Sequence, residues 1–334
     1  MVRFHFRAHS APPLLRPPLA AMPVPSASPA EPRSASRRCR VPPHEGVPSP
    51  RRQLAAEAIG YLVPQTDFAG RVHSVFRQAC NVASGDKLLT LAPAGADNGP
   101  ATLVLDGGAG DDLRRLFAVG ERIDCESGRA RTRRVELRLT DARIWRPAAR
   151  RPLRPTPCID AHLRFACERL GERRRTHSSV IDRDGAPVVA ALIEACRGLD
   201  GERAVQSVDR LIGWGEGLTP AGDDFLVGLC AGLAALAQRN AQRRGFLDRL
   251  GVAMIARGPR TTPIAAHYLR LAALGHHTEA LLQLRDALLA EHRPERIGLT
   301  LDRALDIGAT SGADTVTGLL SGLAAWLPLL PEPA

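Results

Sequence analysis

The chain has 334 residues, of which 44% are apolar, enough to bury the cores of two domains. Its formal net charge is +10, but every basic residue except Lys87 is an arginine, and residues 1–50 alone carry seven arginines against two glutamates. The rest of the chain is nearly balanced in charge, so we expect no nucleic-acid partner. The seven cysteines form no CxxC pair, which argues against a zinc knuckle or a secreted disulfide framework and favours a cytoplasmic protein.

The first 54 residues form a distinct compositional segment. Twelve of the 27 prolines lie in the first fifty positions, among Ser, Ala and Arg, with almost no periodic apolar pattern. This composition predicts a disordered, Pro/Arg-rich extension. The longest apolar run of the chain, residues 225–237, is shorter than the roughly 20 residues that a membrane helix needs, so we expect no membrane partner.

Residues 60–146 have the pattern of a small β-rich domain. Short apolar runs alternate with turn residues, and Val135, Leu137 and Leu139 alternate with polar residues, which is the period of a strand with one wet face. Residues 147–157 predict a Pro/Arg linker, and residues 158–334 have a helical period. The predicted fold class is therefore α+β, with a small, mostly antiparallel N-terminal β domain followed by a predominantly α-helical C-terminal domain.

The helical domain contains an internal similarity. GDDFLVGLCAGLAALA (222–237) and GADTVTGLLSGLAAWL (312–327) are identical at eight of sixteen positions, at an offset of ninety residues. In both segments the aspartate and the next two glycines recur every fourth residue, so they lie along one helix face. Because each glycine costs about 1 kcal/mol in a helix, we expect compensation by close packing. The pattern predicts a pseudo-repeated, glycine-striped helix pair.

The two turns that precede these helices, within GLTPAGDD and GATSGAD, form the main candidate site. Helix N-termini with free backbone N–H groups bind anions, so we expect a small anionic substrate there, with Asp224 and Asp314 as candidate catalytic residues. The candidate substrate-binding residues beside them are Gly217, Thr219, Gly222, Asp223, Thr310, Ser311 and Gly312. Simple capping of each helix remains an alternative, although it does not explain why the set recurs.

A third stretch, RTTP at residues 260–263, adds Arg260, Thr261 and Thr262 as candidate substrate-binding residues. An arginine and two hydroxyls at a helix start can hold a carboxylate or a phosphate. The alternative is that Thr262 only caps a helix whose first residue is Pro263. The sequence has no Walker loop, no GxSxG and no HExxH, and it leaves any cofactor or metal requirement open.

Five segments carry a resemblance to a known family. They are GRVHSVFRQACN (70–81), NGP (98–100), GWGEGLTPAGDDFLVG (213–228), RTTPIAAHYL (260–269) and GATSGADTVTG (308–318). Together they resemble the AllH-like family, a domain-of-unknown-function family whose best-known member is a subunit assigned to oxamate carbamoyltransferase in anaerobic allantoin catabolism.

The resemblance implies a carbamoyltransferase subunit of allantoin catabolism. Such a subunit acts with acyl-CoA-synthetase-like partner subunits to exchange a carbamoyl group between oxalurate and phosphate. The alternative is a non-catalytic binding or assembly subunit of the same kind of complex.

Overall fold

The computed structural model describes residues 50–110, 112–148, 155–174, 185–238, 240–291, 293–308 and 310–327. Residues 1–49 of the predicted extension and 149–154 of the predicted linker lie outside these ranges. The described residues from 51 onwards belong to one compact unit.

The N-terminal part of this unit is a β-barrel. In chain order its strands, with one additional edge strand, are β1 (Arg52–Gly60), β2 (Phe68–Val75), β3 (Cys80–Ser84), β4 (Lys87–Ala92), β5 (Thr102–Leu105), β6 (Arg122–Glu126), β7 (Arg129–Arg131), β8 (Val135–Arg138) and β9 (Arg143–Trp145). The order β5-β4-β3-β2-β6-β7-β8-β1 closes because β1 also pairs with β5, and β9 adds beside the end of β1. Most pairs are antiparallel, with parallel pairing in β1–β8, β1–β9 and β4–β5.

The alternation of residue types along the strands separates the barrel interior from solvent. Val135 and Leu137 of β8 are each 1% exposed, as the period of two predicts. Strand β1 begins at Arg52, earlier than the expected boundary at residue 60. Its sequence RQLAAEAIG has little β-branched character, and its extended form is instead held by pairing with β8 on one edge and β5 on the other.

The C-terminal part of the unit is helical. Within the described ranges it comprises α1 (Ile159–Arg174), α2 (Ala186–Gly198), α3 (Gly201–Leu211), α4 (Ala221–Ala237), α5 (Ala241–Arg257), α6 (Pro263–Ala273), α7 (Glu279–Ala290), α8 (Pro294–Leu305) and α9 (Ser311–Trp326). None of these helices combines the length and apolar character needed to cross a membrane. Helices α4 and α9 are almost entirely buried and contribute to both apolar clusters of the helical part, one with α2, α3 and α5, the other with α1, α7 and α8.

Helices α4 and α9 approach each other too closely for side chains at the contact. A Cβ atom at Gly228 would lie 1.8 Å from the Thr315 carbonyl oxygen, and one at Gly318 would lie 1.9 Å from the Phe225 carbonyl oxygen. One turn further along, a Cβ at Gly232 would lie 2.5 Å from the Leu319 carbonyl oxygen. Backbone therefore packs on backbone along this seam, which explains why glycine occupies helix positions where alanine would be the better helix former.

The barrel meets the helices at the segment that joins α6 to α7. The Tyr61 hydroxyl lies 2.7 Å from His276 Nδ1, and the Glu279 N–H donates to the Asn98 carbonyl oxygen at 2.8 Å. Asp97 Oδ1 accepts from the Ala280 N–H at 3.0 Å, so the barrel supplies a cap to the first turn of α7. The NGP segment of the barrel is thus fixed to the start of a helix.

Candidate functional site

The GWGEGLTP segment forms a turn whose backbone conformation favours glycine at three positions. Gly213, Gly215 and Gly217 have φ values of +77°, +109° and +98°, a region that favours glycine. The turn leads directly into α4, where a Cβ at Gly222 would lie 2.1 Å from the Leu211 carbonyl oxygen. The glycines therefore shape the turn and bring the start of α4 against the end of α3.

Asp223 fastens this turn to the start of α6. Its side chain is 1% exposed; Oδ1 accepts from the Gly213 N–H at 3.0 Å, and Oδ2 accepts from the Thr261 hydroxyl. Burial raises the pKa of Asp223, and the two hydrogen bonds oppose that rise. Both carboxylate oxygens of Asp223 therefore accept hydrogen bonds from within the protein, and these bonds stabilise the conformation of the turn.

Replacing Asp223 by alanine should lower the free energy of unfolding by about 2–3 kcal/mol, because it leaves the partly buried Gly213 N–H and the Thr261 hydroxyl without their acceptor. Thr261→Val is the matched variant, since it removes only the hydroxyl contact, and it should cost about 1 kcal/mol. Urea unfolding followed by circular dichroism measures both values. Equal losses in the two variants would contradict a dominant contribution from the Gly213 contact.

The RTTP segment is also engaged within the protein. The Arg260 guanidinium donates to the Asp209 carboxylate at 2.9 Å and to the Asp209 carbonyl oxygen at 2.8 Å, and Arg257 binds the same carboxylate. The Thr262 hydroxyl donates to the Leu218 carbonyl oxygen and accepts from the Ala265 N–H at 3.1 Å, so it caps α6. In this arrangement Thr261 and Thr262 position the GLTP turn, and Arg260 shares the carboxylate of Asp209 with Arg257.

Asp224 differs from its neighbour Asp223. It is 8% exposed and hydrogen-bonded to the hydroxyls of Thr219 and Ser311, which lie 2.7 Å from each other, while its Oδ2 atom is buried with no hydrogen-bond partner among the described residues. Burial raises the pKa of Asp224 to about 7, and the nearby charges of Asp314 and Asp223 act in the same direction. This carboxyl can therefore donate or accept a proton near neutral pH.

Asp314 lies in the first turn of α9, as Asp224 does in α4, and it is 1% exposed. The two carboxyls are close enough for the charge of Asp314 to raise the pKa of Asp224. The structure thus brings Asp224, Asp314, Thr219 and Ser311 together where the N-termini of the two helices adjoin.

The remaining predicted residues have backbone roles in the described structure. Thr310 precedes α9, and its carbonyl oxygen accepts from the N–H groups of Ala313 and Asp314 at 3.0 and 3.2 Å. A Cβ at Gly312 would lie 2.4 Å from the Ala304 carbonyl oxygen, so this glycine lets α9 approach α8. Gly217 lies on the exposed part of the turn, and a Cβ there would meet nothing within 4 Å.

A polar chain that the sequence patterns do not predict connects the barrel to this site. Tyr268 of α6 is hydrogen-bonded to Thr90 of β4, whose hydroxyl donates to Asn81 Oδ1 at 2.9 Å. Asn81 Nδ2 in turn donates to the Ser74 hydroxyl at 3.0 Å. Burial raises the pKa of the Tyr268 hydroxyl, and the charges of Asp224 and Asp97 raise it further. Tyr268 therefore lies near both the helical site and the barrel.

Two family models match the chain over these parts. The model described as oxamate carbamoyltransferase subunit AllH matches residues 211–323, and the model described as AllH family N-terminal domain matches residues 53–144. The chain belongs to the AllH family. No solved structure matches it.

The AllH matches contain both halves of the polar chain. The N-terminal match includes Asn81, Thr90 and Asp97, and the C-terminal match includes Asp224 and Tyr268. The sequence signal that could have located these residues was the resemblance itself, because Ser74 and Asn81 lie in GRVHSVFRQACN and Tyr268 lies in RTTPIAAHYL.

Two histidines of this AllH chain have lowered pKa values. Burial lowers the pKa of His277 to about 3 and that of His267 to about 4. His277 is 4% exposed, and neither ring nitrogen has a hydrogen-bond partner within the described part of the chain. Over that same part, no group of three or more His, Cys, Asp and Glu side chains is arranged to hold a metal ion.

Proposed function

We propose that this chain is a cytoplasmic subunit of an oxamate carbamoyltransferase-like enzyme of allantoin nitrogen catabolism, acting on small carboxylate and carbamoyl substrates. The observation that carries the proposal is Asp224, a buried carboxyl beside two hydroxyls at adjoining helix N-termini, with one oxygen unpartnered among the described residues. The membership in a family described as an oxamate carbamoyltransferase subunit supports it. The partners are acyl-CoA-synthetase-like subunits.

The close contacts between α4 and α9 support a pseudo-repeated helix pair. Gly228 contacts the Thr315 carbonyl oxygen, and Gly318 contacts the Phe225 carbonyl oxygen. Gly318 is the repeat equivalent of Gly228, ninety residues later, and Phe225 is the repeat equivalent of Thr315, ninety residues earlier. Such a reciprocal pattern is that of an approximate two-fold axis between two glycine-striped helices. The contacts advance in the same direction along both helices, so the two N-termini lie beside one another and their dipoles favour an anion. The N–H groups of residues 222–224 and 312–314 already donate to backbone carbonyl oxygens, so the dipoles carry this attraction.

The transfer breaks the bond between the carbamoyl carbon of oxalurate and its amide nitrogen and forms a bond from that carbon to a phosphate oxygen. The proton lost by the phosphate is balanced by the proton gained on the oxamate nitrogen. Protonated Asp224 can supply a proton to that leaving nitrogen and take one from the phosphate afterwards. The hydroxyls of Thr219 and Ser311 position this carboxyl, and the N-termini of α4 and α9 hold the substrate anion. Burial keeps the pKa of Asp224 high, and the charge of Asp314 adds to this effect.

Reconstitution with the partner subunits tests this role. We expect the wild-type chain to support oxamate-dependent consumption of carbamoyl phosphate, and Asp224→Asn to lower turnover at least about 100-fold through the loss of a general acid. Asp248→Asn, on the exposed face of α5, is the matched control and should retain full activity. Arg260→Ala should also retain substrate affinity, because Asp209 already engages that guanidinium. Full activity of Asp224→Asn would refute the catalytic assignment.

A non-catalytic assembly subunit is the second candidate. It is favoured by the engagement of Asp223, Thr261, Thr262 and Arg260 in contacts within the protein. Calorimetry separates the two. Binding of oxamate to the purified chain or its complex supports a substrate site, whereas stable co-purification with the partner subunits and no uptake of oxamate supports assembly.

A further inference from the structure

The outer face of helix α5 changes from polar to apolar halfway along the helix. Its exposed residues before position 250 are mostly polar, whereas those after it are Val252, Ile255 and Ala256. Val252 is 68% exposed. The inner face of the same half buries Ala253 and Met254, so residues 250–256 are apolar on every side of the helix. A helix that is apolar all round is normally buried on all sides.

The apolar outer face extends beyond α5. Pro259, which follows the helix, is exposed and continues the spacing of one helix face. A Cβ at Gly251 would lie 3.3 Å from the Ala273 Cβ, so the end of α6 packs beside the middle of α5. Leu274, directly after this end, is 55% exposed. Adjoining exposed apolar residues indicate an interaction surface. The surface, termed the α5 patch, consists of Val252, Ile255, Ala256, Pro259 and Leu274.

Positive charge borders the α5 patch at both ends of its run along the chain. On the outer face of α5 before the patch, Arg244 and Arg249 outnumber Asp248. Directly after Pro259, the exposed Arg260 shares the single carboxylate of Asp209 with a second arginine. A complementary surface is therefore apolar at its centre and acidic at its border.

A second copy of this chain does not complement the α5 patch. Two copies related by a two-fold axis would present the same patch to each other. With the α5 helices parallel, Arg249 of one copy faces Arg249 of the other, and with the helices antiparallel it lies near Arg260. Like charges oppose both arrangements.

We propose that the α5 patch is the surface on which a partner subunit docks, and that this partner presents an apolar surface with an acidic border. The inference rests on the proposed function, and the family description of a subunit supports it. From Pro259 the chain runs through one residue into Thr261 and Thr262. The hydroxyls of these threonines bind the Asp223 carboxylate and the Leu218 carbonyl oxygen. The docked partner therefore adjoins the segment that positions the GLTP turn.

Insertion of a negative charge into the α5 patch tests this proposal. The full chain is purified, and its dissociation constant with the acyl-CoA-synthetase-like subunits of the proposed complex is measured by calorimetry. Val252→Glu and Ile255→Glu should weaken this association at least about tenfold, because each places a carboxylate in an apolar contact with an acidic border. Val119→Glu is the matched control, since Val119 is also 68% exposed and lies in the loop before β6. It should associate as the wild type does.

Charge reversal at the border tests the acidic character of the partner. Arg249→Glu should slow association about tenfold at low ionic strength, and the difference should shrink at high salt because mobile ions screen exposed charges. Arg164→Glu, at an exposed position of α1, is the matched control and should associate at the wild-type rate. Surface plasmon resonance at two salt concentrations measures these rates. Equal rates for the two variants would show that the partner has no acidic border.

The outcomes distinguish the docking surface from the proposed function. If the wild-type complex forms and Val252→Glu and Ile255→Glu join it as tightly as Val119→Glu, the docking surface is wrong and the proposed function stands. Asp224→Asn should join the complex normally, so full activity of that complex would overturn the catalytic assignment alone. If the wild-type chain binds no partner subunit, both are overturned.

Two further results would assign the α5 patch to another occupant and overturn the proposal. One is a wild-type dimer that Val252→Glu converts to a monomer while partner association is unchanged, which identifies a second copy. The other is binding to anionic lipid vesicles that Val252→Glu abolishes while partner association is unchanged, which identifies a membrane surface. Circular dichroism of each variant checks that the helices are retained.

Discussion

Alanine at Gly228 or Gly318 is expected to abolish the folded helical region. The new Cβ would lie within 2 Å of a backbone carbonyl oxygen on the opposite helix. No side-chain rotation relieves a contact with backbone, so α4 and α9 would have to separate. Both apolar clusters of the helical part include residues of these two helices and would lose packing together. We expect a loss of more than about 4 kcal/mol, a large share of the roughly 5–15 kcal/mol that stabilises a typical domain.

Intrinsic helix propensity alone predicts that a Gly→Ala substitution stabilises the protein, since alanine is favoured over glycine by about 1 kcal/mol in a helix. Gly245→Ala is therefore the matched control. Gly245 lies on the exposed side of α5, and a Cβ there would meet nothing within 4 Å. This variant should be stabilised by up to about 1 kcal/mol. Soluble yield and urea midpoints measure the contrast, and a Gly228→Ala protein that unfolds at the wild-type midpoint would show that the helix seam can open at little cost.

The second large effect is a pH-dependent gain of stability in Asp224→Asn. The pKa of Asp224 is raised from an ordinary aspartate value of 3.8 to about 7 in the folded protein. The folded state therefore holds a proton that the unfolded state releases, and this contribution, complete below about pH 4, is lost as pH rises towards 7. Asparagine does not titrate. Relative to wild type, the variant should gain about 2–3 kcal/mol of unfolding free energy between pH 5 and pH 8, at about 1.4 kcal/mol per pKa unit.

Urea unfolding of both proteins at several pH values measures this difference. The other groups with raised pKa values near the site, Asp97 and Asp223, are present in both proteins, so their contributions largely cancel. Asp248→Asn serves again as the exposed control and should track the wild type at every pH. A stability difference between Asp224→Asn and wild type that stays constant from pH 5 to pH 8 would rule out a buried, proton-holding Asp224.

Local patterns in the sequence predicted the local features of the fold. Alternation around Val135 predicted a strand with one buried face, and the helical period predicted the C-terminal helices. Barrel closure was not predictable in this way, because it depends on pairing between Ala56 and Leu105, which are far apart in the chain. The early start of β1 was not predicted for the same reason, since pairing with strands distant in the sequence keeps its alanine-rich segment extended.

In the candidate site, too, the sequence predicted local features and did not predict the long-range contacts. Asp223 and Asp224 are identical neighbours in the sequence. Their environments differ because Gly213 and Thr261 contact the first, whereas the hydroxyls of Thr219 and Ser311 contact the second. Arg260 had the composition of an anion site, but its partner Asp209 lies on another helix and has no local signal. The Tyr268 side chain is positioned by its contact with Thr90, which lies on a strand almost 180 residues earlier in the sequence. These contacts are tertiary, so neither the periodicity of the sequence nor the rules of helix capping predict them.

The cap that Asp97 gives to α7 has a consequence for how this protein can be divided. A helical fragment without the barrel would lose the acceptor for the Ala280 N–H, the Tyr61 contact with His276 and the Asp86 ion pair with Arg270. A barrel fragment would leave the Asp97 carboxyl with no helix to bind. The two parts are therefore not interchangeable modules, and a chimera that joins this barrel to the helices of a relative needs the NGP loop and the start of α7 to come from the same parent.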